Sequence, residues 1–333
     1  MNNLLEIKSL NAGYKISRNS KIILKNINIS AQKGELIALI GANGTGKSTL
    51  LKTITGLLPI ISGDIFLSEQ NLKNISVKEK AKKISFVSTE VVNVTNLKVK
   101  DLVALGRFPH TNWLGNIEDD DKKQIDSSLQ KVGMSTFAEK FINEISDGER
   151  QRVMIARTLA QNTDIIILDE PTAFLDILSK YQLINTLHEL SKTENKLIIF
   201  STHDINIALK LCDKIWLVNQ NEVLSEAPED IVLNQRFSSI FNSTDLIFDN
   251  NSFDFNFYKE KKYPVKVVNL TNSEICYNLT LKALERNNFF VDENSKFKLT
   301  ILVNENKYFW QLNENQTCNS ISDLIENLNL VER

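Results

Sequence analysis

Ile145–Arg152 reads ISDGERQR, and its place in the chain matters as much as its composition. It lies between a Gly-rich loop, GANGTGKST at residues 41–49, and an apolar run ending in two acids, IIILDEP at residues 165–171. Ser146 and Glu149 stand at the spacing of a capping box, so a helix over 147–161 should begin here. Its free N–H groups and positive dipole end then point outward at an anion. Taken alone, the stretch would pass for an ordinary capped surface helix. Its two neighbours favour an anion site.

Working outward, residues 35–40 (ELIALI) are nearly all apolar and run straight into the Gly-rich loop, as a buried parallel strand does. Gly41, Gly44, Gly46, Lys47 and Ser48 satisfy the pattern GxxxxGK[ST]. In that pattern the glycines let backbone N–H groups wrap phosphates, and the next helix adds its positive end. Lys47 should reach the β- and γ-phosphates of ATP and Ser48 should ligate Mg²⁺, with Asn43 and Thr49 among the nucleotide contacts. Two further apolar runs, residues 165–168 and 197–200, end in polar residues where an open α/β sheet forms its binding crevice. Asp169 can hold Mg²⁺ directly or through water, and Glu170 is placed to polarise an attacking water. His203, in STHD at 201–204, is placed to hydrogen-bond the γ-phosphate and sense its loss. A lone histidine is more often structural; its position after a strand entering the same crevice favours the catalytic role. Ser201 and Asp204 read as caps of the following helix.

The first thirty residues alternate apolar and polar, which predicts antiparallel strands with one wet face. Residues 90–160 are mainly helical and polar. Near 250 an Asn- and Phe-rich stretch, DNNSFDFNF, reads as a linker. Beyond it the pattern predicts a strand at 264–270 and a helix at 275–287 with Tyr277, Leu281 and Leu284 on one face. A strand through Phe297, Leu299, Ile301 and Val303 follows, then a turn at Asn304–Asn306 with a hairpin partner at 307–312. Ile321, Leu324, Ile325 and Leu328 line one face of a closing helix. The expected organisation is an α/β domain over residues 1–250 and a small α+β domain over 251–333. The latter's role stays open between solute-dependent regulation, dimer bracing and a partner surface.

With 24% charged and 42% hydrophobic residues the composition is that of an ordinary soluble globular protein. A net charge of −2 gives no broad pull toward nucleic acid or anionic lipid, and no nucleic-acid partner is expected. Cys212, Cys276 and Cys318 are too far apart for a CxxC pattern, and Cys276 and Cys318 should pack as small hydrophobes. No apolar run approaches the ~20 residues that cross a bilayer, and MNNLLEIK does not read as a secretory signal. Any membrane role must come through partners.

With these motifs in this order, residues 1–245 resemble an ATP-binding-cassette (ABC) nucleotide-binding domain. The resemblance implies a P-loop fold with a parallel sheet core, an antiparallel β subdomain and an inserted helical subdomain at about 90–160. It implies an ATPase that binds ATP and Mg²⁺ and works as a dimer. Tyr14 matches the aromatic that stacks on adenine, and Ser146, Asp147, Gly148 and Glu149 match the signature offered in trans to the second copy's ATP. Asp176, in TAFLD, matches the loop residue that spans the dimer interface. The run LVALGRFPHTNWLG (102–115) is similar to ATPases of ferric-siderophore, haem and cobalamin importers, whose helical subdomain docks a membrane subunit; a packing helix and turn is the plainer reading. That resemblance implies integral membrane permease subunits as partners, a substrate-binding protein indirectly, and a peripheral place on the cytoplasmic face of the plasma membrane. The alternatives are a soluble, non-transport ABC ATPase and a weakly hydrolysing regulatory ATP-binding protein. Two positions depart from the family. Thr89, with Glu90 beside it, stands where a Gln ligates Mg²⁺, and either could offer the oxygen. Asp147 replaces the signature's first glycine, where a carboxylate repels triphosphate unless it turns away or serves as a helix-start residue.

Overall fold

The N-terminal alternation becomes a long antiparallel pair, Leu5–Ile16 (β1) and Asn19–Ala31 (β2), with Ile7 opposite Ile29 and Gly13 opposite Ile22. The computed structural model describes residues 3–16, 19–88, 96–112, 115–173, 175–219, 221–240, 246–249, 254–257, 262–305 and 307–331. The chain divides into two compact units, Met1–Asn242 with Phe248–Asp254, and Ser243–Ile247 with Phe255–Arg333.

In the first unit Leu36–Ile40 (β3) is buried at every position and leads through the Gly-rich loop into Lys47–Ile54 (α1). Ser62–Leu67 (β4) and Gln70–Asn71 (β5) complete an antiparallel sheet of order β2-β1-β4-β5. Val77–Lys83 (α2), started by a Ser76–Glu79 capping box, precedes Ile84–Val87 (β6). Three helices that pack on one another follow: Val99–Ala104 (α3), Asp119–Lys131 (α4) and Asp147–Ala160 (α5). The chain then re-enters the core as Ile165–Leu168 (β7), Ile177–Thr193 (α6), Leu197–Ser201 (β8), Ile205–Leu211 (α7) and Lys214–Asn219 (β9). Glu222–Glu226 (β10) turns back antiparallel to β9, and Pro228–Leu233 (α8) and Arg236–Ile240 (α9) follow.

The central sheet has the order β10-β9-β3-β8-β7-β6, parallel from β9 to β6. Parallel strands buried on both faces must be apolar throughout, which is why LIALI, IIIL and LIIF carry no alternation. Because β3, β8 and β7 are neighbours, the residues that follow them emerge side by side at one sheet edge, where α/β sheets bind ligands.

The stretch expected to be a linker carries regular structure at both ends, while residues 250–253 lie outside the described residues. Leu246–Asp249 (β11) and Asp254–Phe257 (β12) form a two-stranded ribbon, and the Phe248 ring sits 4.9 Å from that of Phe237.

The second unit comprises Tyr263–Asn269 (β13), Glu274–Arg286 (α10), Phe289–Val291 (β14), Lys298–Asn304 (β15), Lys307–Leu312 (β16), Gln316–Cys318 (β17) and Ile321–Val331 (α11). Its sheet order is β14-β13-β15-β16-β17. Val265, Leu299, Ile301, Trp310 and Leu312 from the strands meet Leu284, Leu324 and Leu328 from the helices in one core. Cys276 and Cys318 are buried in it as free thiols. The polar tip of Trp310 is satisfied, its Nε1 donating to Thr280 Oγ1 at 2.8 Å. Among the described residues no helix is long and apolar enough to cross a membrane.

Candidate active site

The loop between β3 and α1 is shaped by glycines in the left-handed backbone region, Gly44 at φ 78° and Gly46 at φ 108°. A Cβ on Gly46 would also approach Ile23 Cγ2 to 2.8 Å, so the loop path and the packing against β2 both require glycine there. Gly44 faces open space. Lys47 is buried, and its Nζ donates to the carbonyls of Gly41 (2.8 Å) and Ala42 (3.1 Å). Burial pushes its ammonium below the usual lysine range, and the charges of Glu170 and Asp169 partly restore it. The first N–H groups of α1 have no carbonyl to pair with inside the helix. Tyr14, in β1, stands half-exposed at the mouth, its hydroxyl 3.2 Å from Thr49 Oγ1.

Across the sheet edge, Asp169 is buried directly after β7, its N–H donating to Val87 O at 2.9 Å. Glu170 follows with its backbone in the left-handed region, at φ 49°, a conformation that costs a non-glycine residue of order 1 kcal/mol or more. Its carboxylate Oε1 lies 3.0 Å from His203 Nε2. Ser201 corrects the sequence reading: it caps nothing. Its hydroxyl donates to Asp169 Oδ1 at 2.7 Å and accepts the Glu170 N–H at 2.8 Å. Asp204 alone caps α7, accepting from Ile207 N at 3.1 Å. Local spacing could not have exposed the Ser201 contacts, since the partners stand more than thirty positions away.

Ser48 Oγ and Asp169 Oδ2 have no hydrogen-bond partner among the described residues. An alcohol and a carboxylate are the hard oxygen donors that Mg²⁺ takes. Thr89 and Glu90 lie outside the described residues.

The capping box at α5 is complete. Glu149 N donates to Ser146 Oγ (3.3 Å) and Ser146 N to Glu149 Oε2 (2.7 Å). That backbone bond is the chief reason the Glu149 carboxyl is held below the usual range. Asp147 turns outward, its side chain 71% exposed, and ion-pairs with Arg150 Nη1 at 2.7 Å. No hydrogen bond or ion pair joins residues 146–149 to the loop at 41–48. Gly148 lies beside Leu175, whose Cδ2 would be 3.4 Å from an added Cβ. Asp176 caps α6, accepting from Ser179 N (2.9 Å) and Ser179 Oγ (2.7 Å), bonds that hold its carboxyl low. Ile177 and Leu178 beyond it are exposed.

The run 102–115 supplies the end of α3 and a short turn that packs on α5; residues 113–114 lie outside the described residues. A side chain on Gly106 would run into the Arg157 carbonyl, so the two segments approach closely. Arg107 donates to Asp121 Oδ1 (2.7 Å) and to Ala160 O (2.8 Å), and His110 Nε2 lies 2.8 Å from Gln161 O. Packing leaves Leu105 and Phe108 exposed, Phe108 at 69%.

Comparison with known proteins agrees with this geometry. Residues 24–173 match the ABC transporter family, and residues 265–329 match the iron ABC transporter C-terminal domain. The petrobactin import ATP-binding protein FpuD of Bacillus anthracis is 35% identical over 254 residues, 74% of this chain and 92% of that protein. Among solved structures, an inward-facing putative metal-chelate type ABC transporter is similar with a TM-score of 0.63 and 25% identity, covering 77% of this chain and 97% of that one. A bacterial ABC transporter cassette solved as a dimer is similar at 28% identity with a TM-score of 0.59, covering 67% of this chain and 98% of that one. The chain belongs to the ABC transporter family, as an ATP-binding cassette followed by the iron-type C-terminal domain.

Proposed function

We propose that this protein is the ATP-hydrolysing subunit of an ABC importer for an iron chelate of the siderophore class, with haem or a corrinoid as neighbouring cargo chemistries. The observation that carries the hydrolytic reading is the junction of β7 and β8, where Glu170, held by Ser201 and facing His203, stands at the strand end next to the phosphate loop. The cargo class is supported by the C-terminal domain match and by the petrobactin-import relative.

In this reading Lys47 and the N–H groups at the start of α1 bind the β- and γ-phosphates, and Tyr14 stacks on adenine. Gly41, Asn43, Gly44, Gly46 and Thr49 complete the cradle. Ser48 and Asp169, with Thr89 or Glu90, would hold Mg²⁺, which would supply charge neutralisation for the phosphates. Glu170 orients the attacking water and takes its proton, while His203 Nε2 fixes the Glu170 carboxylate and faces the γ-phosphate. Ser146, Asp147, Gly148 and Glu149 complete the site of a second copy, with Asp176 at the seam. Two copies close on two ATP, drive permease subunits at the cytoplasmic membrane face, and reopen on hydrolysis. Leu105 and Phe108 fit an apolar segment of such a permease.

Glu170→Gln tests the reading. ATP binding should persist, hydrolysis should fall by about 10²–10⁴-fold, and an ATP-held dimer should accumulate in size-exclusion chromatography. Hydrolysis at the parent rate would exclude this role for Glu170. Uptake of labelled ferric siderophore, haem and cobalamin in a deletion strain separates the cargo classes; failure to affect any of them contradicts import of this group.

A further inference from the structure

We propose that Ser201 is a positioning residue for hydrolysis, a hydroxyl that ties the strand behind the phosphate loop to both acids at the end of β7. The proposal rests on the hydrolytic reading of Glu170 above. Ser201 is fully buried, and its backbone pairs with Leu39 of β3, the strand that leads into the Gly-rich loop. It also stands one residue past Phe200, which pairs with Leu168, so Ser201 and Asp169 face each other where β8 and β7 end.

A serine hydroxyl has one proton, and both neighbours need a different thing from it. Asp169 Oδ1 can only accept, so the proton points there, at 2.7 Å. The oxygen is then left to accept, and the Glu170 N–H donates to it at 2.8 Å. The directions are mutually consistent, and neither can be reversed while Asp169 is ionised. Holding the Glu170 N–H stabilises the left-handed backbone at φ 49°, which in turn aims the Glu170 carboxylate at His203. Holding Asp169 Oδ1 leaves Oδ2 as the oxygen available to a cation. One hydroxyl therefore fixes the direction of the acid that activates water and the orientation of the acid that ligates metal. An alanine removes both bonds at once; a threonine keeps the hydroxyl.

The test uses the full-length chain carrying Ser201→Ala or Ser201→Thr, with thermal melts confirming that each is folded. In Ser201→Ala, kcat should fall about tenfold or more, as expected for losing a buried hydrogen bond to a charged group. The Mg²⁺ concentration for half-maximal rate should rise, and ATP affinity measured without Mg²⁺ should stay at the parent value. Hydrogen exchange in the nucleotide-free protein should show the Glu170 amide exchanging about tenfold faster. Ser201→Thr should recover rate and Mg²⁺ dependence. Parent-like kcat, Mg²⁺ dependence and Glu170 exchange in a folded Ser201→Ala overturns the proposal. So does a loss of Mg²⁺-free ATP binding as large as the loss of rate, since that marks a packing defect. If Ser201→Thr does not fold, the rate, metal and exchange readouts of Ser201→Ala decide alone. A parent chain without ATP turnover overturns the hydrolytic reading itself, whereas a parent that turns over beside an unaffected Ser201→Ala overturns only the role of Ser201.

Discussion

Asp147 stands at the first position of α5, where the sequence sets a carboxylate in place of the family's glycine. The structure gives it two compensations: a helix N-terminus favours negative charge, and Arg150 meets it at 2.7 Å on the exposed surface. The Arg150 Nε is buried without a hydrogen-bond partner among the described residues, while its Nη1 engages Asp147. If this surface faces a second copy's triphosphate, the carboxylate still raises the cost of closing, and its partner only partly cancels that. Asp147→Gly should therefore lower the ATP concentration for half-maximal hydrolysis a few-fold, the size of an exposed charge effect. The difference from the parent should shrink as salt is raised to about 1 M. An ATP requirement that is unchanged or higher at low salt would remove Asp147 from the electrostatics of closure.

The helical layer rests on a few polar ties that can be tested one by one. Arg107 and Asp121 are both nearly buried and pair at 2.7 Å, while Arg107 also reaches the last carbonyl of α5. Burial alone would push the Asp121 carboxyl up, but the hydrogen bonds from Arg107 and the Glu118 N–H and the nearby positive charge bring it below its usual range. Arg107→Ala strands a buried carboxylate and should cost roughly 3 kcal/mol in denaturant unfolding; a change near zero would mean that the pair is dispensable. At the start of α3, Lys98 and Lys100 clasp Glu139 and pull its carboxyl down to about 2. A depressed carboxylate stabilises the folded state above its unfolded pKa of 4.5, and that contribution is lost as pH falls from 4.5 to about 2. The melting-temperature gap between parent and Glu139→Gln should thus be present at pH 6 and close across that window; a gap that widens in acid would reverse the assignment. Elements with a period or a motif were legible in the chain. The apolar runs before residues 41, 169 and 201 declare buried parallel strands, and the Ser146–Glu149 spacing declares the start of α5. What sequence could not expose was of another kind. Strands β14 and β17 have three residues each, too few to alternate, and the Ser201 contacts depend on which strands become neighbours.

At the scale of the whole chain, each of the two units has an apolar core of its own, and each core can be perturbed by itself. The first centres on β3, β7, β8 and β9 with Trp216 among its buried residues; the second has Trp310 set against Val265, Leu284 and Leu299. A ligand that binds only the native first unit stabilises it by mass action, by about 2.7 kcal/mol at a concentration one hundred times its Kd. For a unit of that size this raises the melting temperature by about 5–10 °C. Trp310→Phe acts on the other core: it takes away the donor that Thr280 accepts and leaves a cavity beside Leu299 and Leu312, which should cost roughly 1–3 kcal/mol. Calorimetry of the Glu170→Gln chain, where ATP persists, should resolve two transitions. ATP with Mg²⁺ should raise one of them, Trp310→Phe should lower the other, and each treatment should leave the remaining transition in place. One transition that moves under both treatments would show that the cores melt as a single cooperative unit, and the C-terminal domain would then have to be counted as part of the stability of the ATP site.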